Sequence, residues 1–489
     1  MLLRFILGRA GSGKTRRCLD EIRQQLRRAP EGPPLVFLVP EQATFQTEYA
    51  LVSTPDLAGT VRARVLSFRR LAWLVLAEAG GAAQPLIGDL GKRMIIARIL
   101  ESRRSELRVF GRAARQFGFA GNMARTLSEL KAYLVTPADL ERAGSRVVER
   151  SGAHILGAKL QDLKLVYAAF EAYLAGRYVD PDDYLTLSAA RLAESRLLDG
   201  AEVWVDGFAG FTPQEYQVLE VLLRRAARVN VALCLDPDAK RRKDRELFRL
   251  TRETHTRLAE LARKNGVRIE ALKLNNTPPP RFQNSPALAH LERQFFRRPT
   301  AVYRGAAEVK LVAAENQRAE VEGAAREIIR LCRERGYRWR EVSVIVRHLD
   351  DYHEILATVF TDYGIPFFID RKRTVLHHPL VELIRSALQT VTEDWAYDPV
   401  FRFLKTDLAP VSREEVDLLE NYVLAHGIRG NRWVADRDWA YRPSLRREGE
   451  EPAPAYQELL RRVNEVRRRA SRQLLAFHRR LNAAEKVRD

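Results

Sequence analysis

Two short apolar runs near the start of the chain are separated by one helix-length amphipathic segment. The runs cover residues 2–7 and 35–39 (LVFLV), and the segment between them covers 15–29. Strands that flank a helix in this order form a βαβ unit with parallel strands. Residues 202–206 (EVWVD) and 229–235 (VNVALCL) repeat the strand pattern, and each is followed by a helical pattern. The α/β alternation therefore resumes after residue 200.

The pattern between these strand regions is helical. Over residues 88–198, apolar positions recur at helical spacing, which predicts a helical insertion within a first domain that covers 1–274. Residues 275–286 (NNTPPPRFQNSP) combine prolines with small polar residues, a composition that disfavours helix and strand alike. We therefore predict that 275–300 is a linker between domains.

The strand–helix alternation restarts after this predicted linker. Residues 308–313 (EVKLVA) and 342–347 (VSVIVR) have strand patterns around a predicted helix at 317–335. These elements predict the start of a second α/β domain of the same type over 301–385. From there to residue 489 the pattern is helical, and it ends in a basic stretch without a cap or a terminal strand. We expect an incomplete helical insertion over 386–489.

The net charge indicates what kind of partner the chain binds. The chain has 489 residues and a formal net charge of +19, which favours a polyanionic partner. The alternative is an arginine-rich chain whose charges only solvate helix faces, and charge alone does not separate DNA from RNA or from an acidic protein. There is no apolar run of membrane-spanning length. We therefore expect no membrane contact and a cytoplasmic location.

The cysteine content excludes several kinds of site within this sequence. Cys18, Cys234 and Cys332 are far apart and form no C-x-x-C pair. This spacing argues against a disulfide framework, a zinc site and an iron–sulfur cluster.

The first apolar run leads directly into a complete phosphate-binding sequence, GRAGSGKT. Glycines after a buried strand allow backbone N–H groups to surround a β-phosphate, and the following helix adds its positive dipole end. We expect Lys14 to reach the β- and γ-phosphates and Thr15 to ligate Mg²⁺. A chance match is the competing interpretation. The predicted nucleotide-binding residues of the loop are Gly8, Arg9, Ala10, Gly11, Ser12, Gly13, Lys14 and Thr15.

A nucleotide site of this type also needs a carboxylate at the end of a neighbouring strand, to hold Mg²⁺ through its water shell. Asp206 closes the strand VWVD and is predicted to be that carboxylate, the alternative being a turn aspartate at a strand end. The residue that follows is Gly207, where a catalytic glutamate is expected. Glu215 and Glu220 have no spacing that favours either as a substitute, so nucleotide binding is better supported than hydrolysis and the catalytic residue stays unassigned.

These features together resemble the UvrD-like superfamily 1 helicases. This resemblance implies an α/β fold of RecA-like P-loop NTPase domains with parallel sheets and large helical insertions. Their second motif usually runs D-E-F-Q-D-T, and DGFAGFT at 206–212 keeps Asp206 and Phe208 but lacks the glutamate. Within that group the chain is similar, over its whole length, to the AddB subunits of bacterial AddAB helicase–nucleases. The segments that carry this similarity are VPEQATFQTE (39–48), DGFAGFTPQE (206–215), GIPFFIDRKRTVLHHPLVELI (364–384), FRFLKTDL (401–408) and LENYVLAHGIRGNRW (419–433).

The resemblance implies roles for further residues. The segment PEQATF occupies the place of a motif that touches single-stranded DNA, so Gln42, Thr44 and Phe45 are DNA-contact candidates. A packed loop without DNA contact is the alternative. Arg347 closes the predicted strand VSVIVR, where these helicases place an arginine on the γ-phosphate. An ordinary strand-end arginine is the competing interpretation.

The resemblance also implies ATP and Mg²⁺ as cofactors, DNA as partner (double-strand ends and single strands), and a heterodimer with an AddA-like helicase–nuclease in double-strand-break repair. Full-length family members carry a nuclease domain with a [4Fe-4S] cluster, for which this sequence has no ligands. Two departures bear on the motor activity. No residues precede the P-loop strand to form the glutamine motif that reads adenine, and the segment DPDAKRRKD offers Asp236 but no glutamine as γ-phosphate sensor.

Three functions follow from these observations. The first is an ATP-binding, DNA-processing subunit of a helicase–exonuclease. The second is a non-hydrolysing nucleotide-binding scaffold that binds DNA and a motor partner, which the missing glutamate favours over an autonomous motor. The third, a small-molecule P-loop transferase, is disfavoured by the long helical insertion and the second predicted α/β region.

Overall fold

A computed structural model describes residues 1–484 except 55–56, 58, 81–83, 117, 237–246, 307, 372–374 and 442–453. The chain divides into two compact units, Met1–Leu311 and Val312–Asp489. The predicted fold class, an α/β P-loop domain of the RecA-like type with a large helical insertion, is confirmed for the first unit by its sheet and helices.

The first unit is built on one six-stranded sheet. All neighbouring strands are parallel, and their spatial order is β3-β2-β4-β5-β1-β6. The strands are β1 (Leu2–Gly8), β2 (Leu35–Leu38), β3 (Ala63–Leu66), β4 (Glu202–Val205), β5 (Arg228–Cys234) and β6 (Arg268–Lys273). The sequence pattern predicted four of these strands. It missed β3, which has four residues, and β6, an edge strand whose side chains are largely exposed.

Helices cover both faces of this sheet, as a fully parallel sheet requires. Leu3, Phe5 and Leu7 of β1 point into one hydrophobic layer, whereas Ile6 points into the other. The helices of the first unit are α1 (Lys14–Arg28), α2 (Thr44–Val52), α3 (Phe68–Ala79), α4 (Asp89–Ser102), α5 (Phe119–Ala132), α6 (Pro137–Ser151), α7 (His154–Leu174), α8 (Tyr184–Leu192), α9 (Pro213–Arg225), α10 (Arg249–Lys264) and α11 (Pro286–Gln294).

Helices α4–α8 form the insertion that the sequence predicted. Helices α4–α7 have their own hydrophobic cluster, in which Ile96, Leu127 and Phe170 are buried, whereas Tyr184 of α8 packs with residues of α3. A buried ionic cluster joins the insertion internally: Lys131 Nζ lies 3.0 Å from Asp180 Oδ2 and 2.7 Å from Asp183 Oδ2. Burial on its own lowers the pKa of Lys131, but these carboxylates outweigh it and hold the pKa above its ordinary value.

The predicted linker at 275–300 is not an open connection. It belongs to the first unit and folds back over the P-loop, where the Arg281 N–H donates to the Gly11 carbonyl (3.2 Å). The prolines at 278–280 do not prevent this packing, and helix α11 (Pro286–Gln294) forms within the same range. The predicted boundary at residue 274 therefore divides a compact unit.

The second unit contains helices and no strand within its described residues. The predicted helix at 317–335 is confirmed, and so is the helical region after residue 380. The helices are α12 (Gln317–Arg335), α13 (Leu349–Asp362), α14 (Pro379–Thr392), α15 (Tyr397–Leu404), α16 (Arg413–His426), α17 (Asn431–Val434) and α18 (Pro454–Ala483). Three tryptophans, Trp395, Trp433 and Trp439, are buried in its larger hydrophobic cluster.

The two strands predicted at 308–313 and 342–347 do not form. Neither segment pairs with a strand, and Ile345 is 94% exposed. A strand is stable only when its backbone groups have hydrogen-bonded neighbours. Apolar alternation was present in both segments, but the described part of the unit offers no adjacent strand.

Candidate nucleotide-binding site

The P-loop has the strand–loop–helix geometry that its sequence predicts. Strand β1 ends at Gly8 and helix α1 begins at Lys14. Gly11 and Gly13 have φ values of +73° and +89°, the left-handed region in which only glycine is unstrained. Ser12 is buried, and its hydroxyl has no hydrogen-bond partner in the structure. The loop thus has the backbone shape of a phosphate cradle.

Lys14 and Thr15 stand at the start of α1. Lys14 Nζ donates to the carbonyls of Gly8 and Arg9, both at 2.9 Å, so the loop itself satisfies the ammonium. Phosphate oxygens are stronger acceptors than these carbonyls because they are charged. Thr15 is exposed in the first turn of α1.

Asp206 and the P-loop both lie at the carboxyl ends of the parallel strands. Asp206 follows β4, is 7% exposed, and its N–H donates to the Leu38 carbonyl (3.0 Å). The strand before Asp206 was predicted to be the neighbour of the P-loop strand β1, but β5 lies between β4 and β1. Two strand spacings amount to about 10 Å. Burial raises the pKa of the Cys18 thiol in α1, and the negative charge of Asp206 raises it further.

The hydroxyl of Thr15 and the carboxylate of Asp206 are oxygen ligands of the kind that Mg²⁺ prefers. Thr15 would bind Mg²⁺ directly, and Asp206 would hold it through water. This donor set, beside a loop shaped for phosphate, fits a Mg-nucleotide. Elsewhere in the described residues, no group of three or more His, Cys, Asp or Glu side chains is arranged to hold a metal ion.

Gly207 follows Asp206 for a steric reason. Its φ is +85°, and a Cβ at this position would lie 3.0 Å from Pro40 Cδ. A glutamate would therefore be strained by its backbone conformation and crowded by the Pro40 ring. The two glutamates considered as substitutes are engaged elsewhere: Glu215 caps α9 by accepting from the Thr212 N–H (2.7 Å), and Glu220 lies near Asn265.

The segment that was predicted as a linker covers the outer side of the P-loop. A Cβ at Gly11 would lie 2.8 Å from the Phe282 ring, so the absence of a side chain at Gly11 allows this approach. A cleft of about 570 Å³ opens between the loop and this segment, and Ser12, Phe282, His290 and Tyr303 are among its lining residues. The cleft is large enough for a nucleoside, and much of its lining comes from residues that follow the last strand of the sheet.

Arg9 ties the P-loop to helix α11. Its Nε donates to Glu292 Oε1 (2.9 Å), and its Nη2 donates to the Glu292 carbonyl (2.9 Å). Asp236, at the end of β5, lies 3.3 Å from Arg9 Nη1. The sequence identified Arg9 only as a loop member and gave no signal for Glu292, because the two residues are far apart in the chain. Residues 237–244 of the segment DPDAKRRKD lie outside the described residues.

The three predicted DNA-contact residues have different environments. Gln42 and Phe45 are exposed, whereas Thr44 is buried and its hydroxyl donates to the Glu41 carbonyl (2.8 Å). This burial counts against direct DNA contact by Thr44. Sequence reasoning missed Tyr49, which is 65% exposed and stacks on Phe45 with ring centroids 6.4 Å apart. The available signal was the spacing of two aromatic residues four positions apart, which meet on one face if the segment is a helix.

Arg347 is exposed in a bend before α13, in the second unit. It does not close a strand, because 342–347 is unpaired. Its predicted contact with the γ-phosphate stays a prediction.

A parallel sheet with helices on both faces, a glycine-rich loop between β1 and α1, and a carboxylate after β4 define an α/β domain of the RecA-like class. The family model described as "ADDB, N-terminal" matches residues 5–292, which include the P-loop, Asp206 and the segment over the loop. The chain belongs to the AddB family.

Curated relatives, each named as the B subunit of an ATP-dependent helicase/deoxyribonuclease, match the chain over its full length. The protein from Desulforudis audaxviator (strain MP104C) is 66% identical over 498 aligned residues, which are 100% of this chain and 43% of the relative. The protein from Pelotomaculum thermopropionicum is 54% identical, again over 100% of this chain and 42% of the relative. The chain therefore spans less than half the length of the relatives it matches. No described helix has the length and apolar character needed to cross a membrane.

Proposed function

We propose that this chain is the nucleotide-binding and DNA-contacting part of an AddB-type subunit, which acts on double-strand DNA ends in recombinational repair as a heterodimer with an AddA-like helicase–nuclease in the cytoplasm. The names of the relatives support this role, since they describe one subunit of an ATP-dependent helicase/deoxyribonuclease. The nuclease activity and the [4Fe-4S] cluster belong, in this proposal, to sequence of full-length members that the chain does not match.

One observation carries the nucleotide part of the proposal. The cradle with Lys14, Thr15 and Asp206 has the groups that a Mg-nucleotide needs, while Gly207 occupies the position of the catalytic base in a conformation that excludes glutamate. Bound Mg²⁺ would neutralise phosphate charge. Lys14 would bind the phosphates, Thr15 and Asp206 would hold the metal, and Arg347 would sense the γ-phosphate.

The same observation favours the second candidate function for the isolated chain. A site that binds a nucleotide but has no positioned base makes the chain a non-hydrolysing scaffold, in which the nucleotide reports on a motor partner. A motor subunit would then supply the hydrolysis.

Binding measurements test the proposal. We expect Mg-ATP to bind and Lys14→Ala to remove that binding, and we expect salt-dependent binding of blunt DNA ends in preference to heparin. If ATP binds the Lys14→Ala variant as well as the native chain, the assignment of the site is wrong. Equal affinity for DNA ends and heparin, or an affinity that does not change with salt, would remove the support for a specific DNA site.

A further inference from the structure

Helix α18 in the second unit presents a continuous basic surface. Of the seven exposed arginines of α18, Arg468 pairs with Asp438. The other six lie on one side of the helix: Arg461, Arg462, Arg469, Arg472, Arg479 and Arg480. At 100° per residue they fall within a sector of about 100°. Glu458 and Glu465 are the acidic residues of α18, and both pair with Arg461. We call this surface the arginine stripe.

The rotation of α18 about its axis is fixed by its buried side. Val463, Val466 and Leu474 pack into the cluster around the three tryptophans. Asn464 makes two hydrogen bonds to Trp439, accepting from its N–H (2.7 Å) and donating to its carbonyl (2.9 Å). A one-residue rotation of the helix would break both bonds, so the arginines are held outward before any partner binds.

Most of the stripe is available to an anion. Arg461 and Arg469 have carboxylate partners, the latter in Glu415. Within the described part of the chain, no ion pair is found for Arg462, Arg472, Arg479 or Arg480. These four like charges lie on one helix face, where they repel one another unless a polyanion neutralises them. Guanidinium groups suit phosphate because they donate two hydrogen bonds in one plane.

We propose that the arginine stripe binds the phosphate backbone of duplex DNA; this inference rests on the proposed function in DNA processing. Arg462 and Arg480 are separated by about 27 Å along the helix, slightly less than one turn of duplex. The exposed sector contains no aromatic side chain, and single strands are bound chiefly by aromatic stacking. The Phe45–Tyr49 pair of the first unit is aromatic and therefore suits a single strand.

The test compares two variants with the same change in net charge. The stripe variant carries Arg462→Gln, Arg472→Gln, Arg479→Gln and Arg480→Gln. The control carries Arg318→Gln, Arg326→Gln, Arg333→Gln and Arg335→Gln on the exposed side of α12 in the same unit. Fluorescence anisotropy of the full 489-residue chain is measured with a short blunt duplex and with a single strand, each across a salt titration.

We expect the stripe variant to lose at least about tenfold in duplex affinity, and the slope of log K against log salt to fall by about 2 to 4, since each lost phosphate contact removes about 0.9. The control should change both quantities much less, and lysine at the four stripe positions should restore most of the affinity. Unchanged circular dichroism and Tm would verify that the variants are folded.

Several results would overturn the proposal. Equal losses in stripe variant and control would show a general charge effect, and a larger loss for the single strand would assign the stripe to the wrong ligand. Retained duplex binding together with lost binding of an AddA-like protein would make the stripe a protein interface. If the native chain bound no DNA, the proposed function would fail as well, which distinguishes that failure from the first three.

Discussion

Gly207 and Pro40 touch where the segment after β2 meets the segment after β4. A Cβ at position 207 would lie 3.0 Å from Pro40 Cδ, and Gly207 has a φ of +85°. The residue after Asp206 is therefore disfavoured as anything but glycine. A side chain at position 207 would be strained by the left-handed backbone, and the Pro40 ring would have to shift to make room for it.

Gly207→Glu should not create a hydrolytic site. We expect a loss of about 1 to 3 kcal/mol in the free energy of unfolding, from the left-handed backbone and the clash with Pro40, and no gain in ATP hydrolysis. Gly207→Ala is the control, since it adds the same Cβ without the carboxylate. Urea unfolding and a phosphate-release assay measure the two effects. A stable Gly207→Glu variant that hydrolyses ATP would refute the steric argument.

Glu292→Gln should loosen the segment over the P-loop. The change weakens the pair with Arg9, whose side chain is 17% exposed, and leaves part of a guanidinium charge unpaired. We expect about 1 to 3 kcal/mol less protection of the Arg281 amide in hydrogen exchange, because that amide bonds to Gly11. Glu260→Gln, a change of the same kind on α10, serves as the control. Unchanged exchange at 281–292 would show that Arg9 does not hold the segment.

Phe45 and Tyr49 should contribute to single-strand binding as a pair. Replacing either with alanine removes one face of an exposed stack, and base stacking on an aromatic ring contributes about 1 to 3 kcal/mol. We expect a five- to hundredfold loss, roughly, in affinity for a single strand, with a smaller effect on duplex. Phe45→Trp and Phe45→Leu distinguish base stacking from burial of apolar surface, because only Phe45→Trp should retain the affinity. Equal affinities of both would contradict a stacking role.

Glu21, in helix α1, makes the stability of the fold depend on pH. Burial opposes its ionisation, but hydrogen bonds from Arg4, Trp204 and Arg17 outweigh burial, so its pKa lies below the ordinary value. A depressed carboxyl pKa stabilises the fold above the pKa of the unfolded chain, about 4.3, and this contribution is lost as the pH falls through the folded pKa. Glu21→Gln should be about 1 to 3 kcal/mol less stable at pH 7. Its stability should fall less steeply on acidification in urea titrations. Parallel acid profiles would contradict this.

Sequence alone predicted the elements whose signals are local. Strand β1, the loop glycines and Lys14 are close together in the chain, and the strand before Asp206 is a continuous apolar run. Contacts between distant residues were not predictable in this way. The packing of Phe282 on Gly11 depends on a missing side chain and a tertiary fold, and nothing at 275–286 indicates it. The strand patterns at 308–313 and 342–347 misled because pairing depends on neighbours that a pattern does not contain.

The claim that the site binds ATP without hydrolysing it is tested most directly by two measurements on the isolated chain. These are single-turnover hydrolysis of ATP and ATP affinity, each for the native sequence and for Lys14→Ala. We predict that the native chain binds Mg-ATP, that Lys14→Ala lowers the affinity at least about a hundredfold through loss of the phosphate contact, and that neither protein hydrolyses ATP above the uncatalysed rate. Lys14-dependent hydrolysis by the native chain would contradict the claim that this site binds a nucleotide without consuming it.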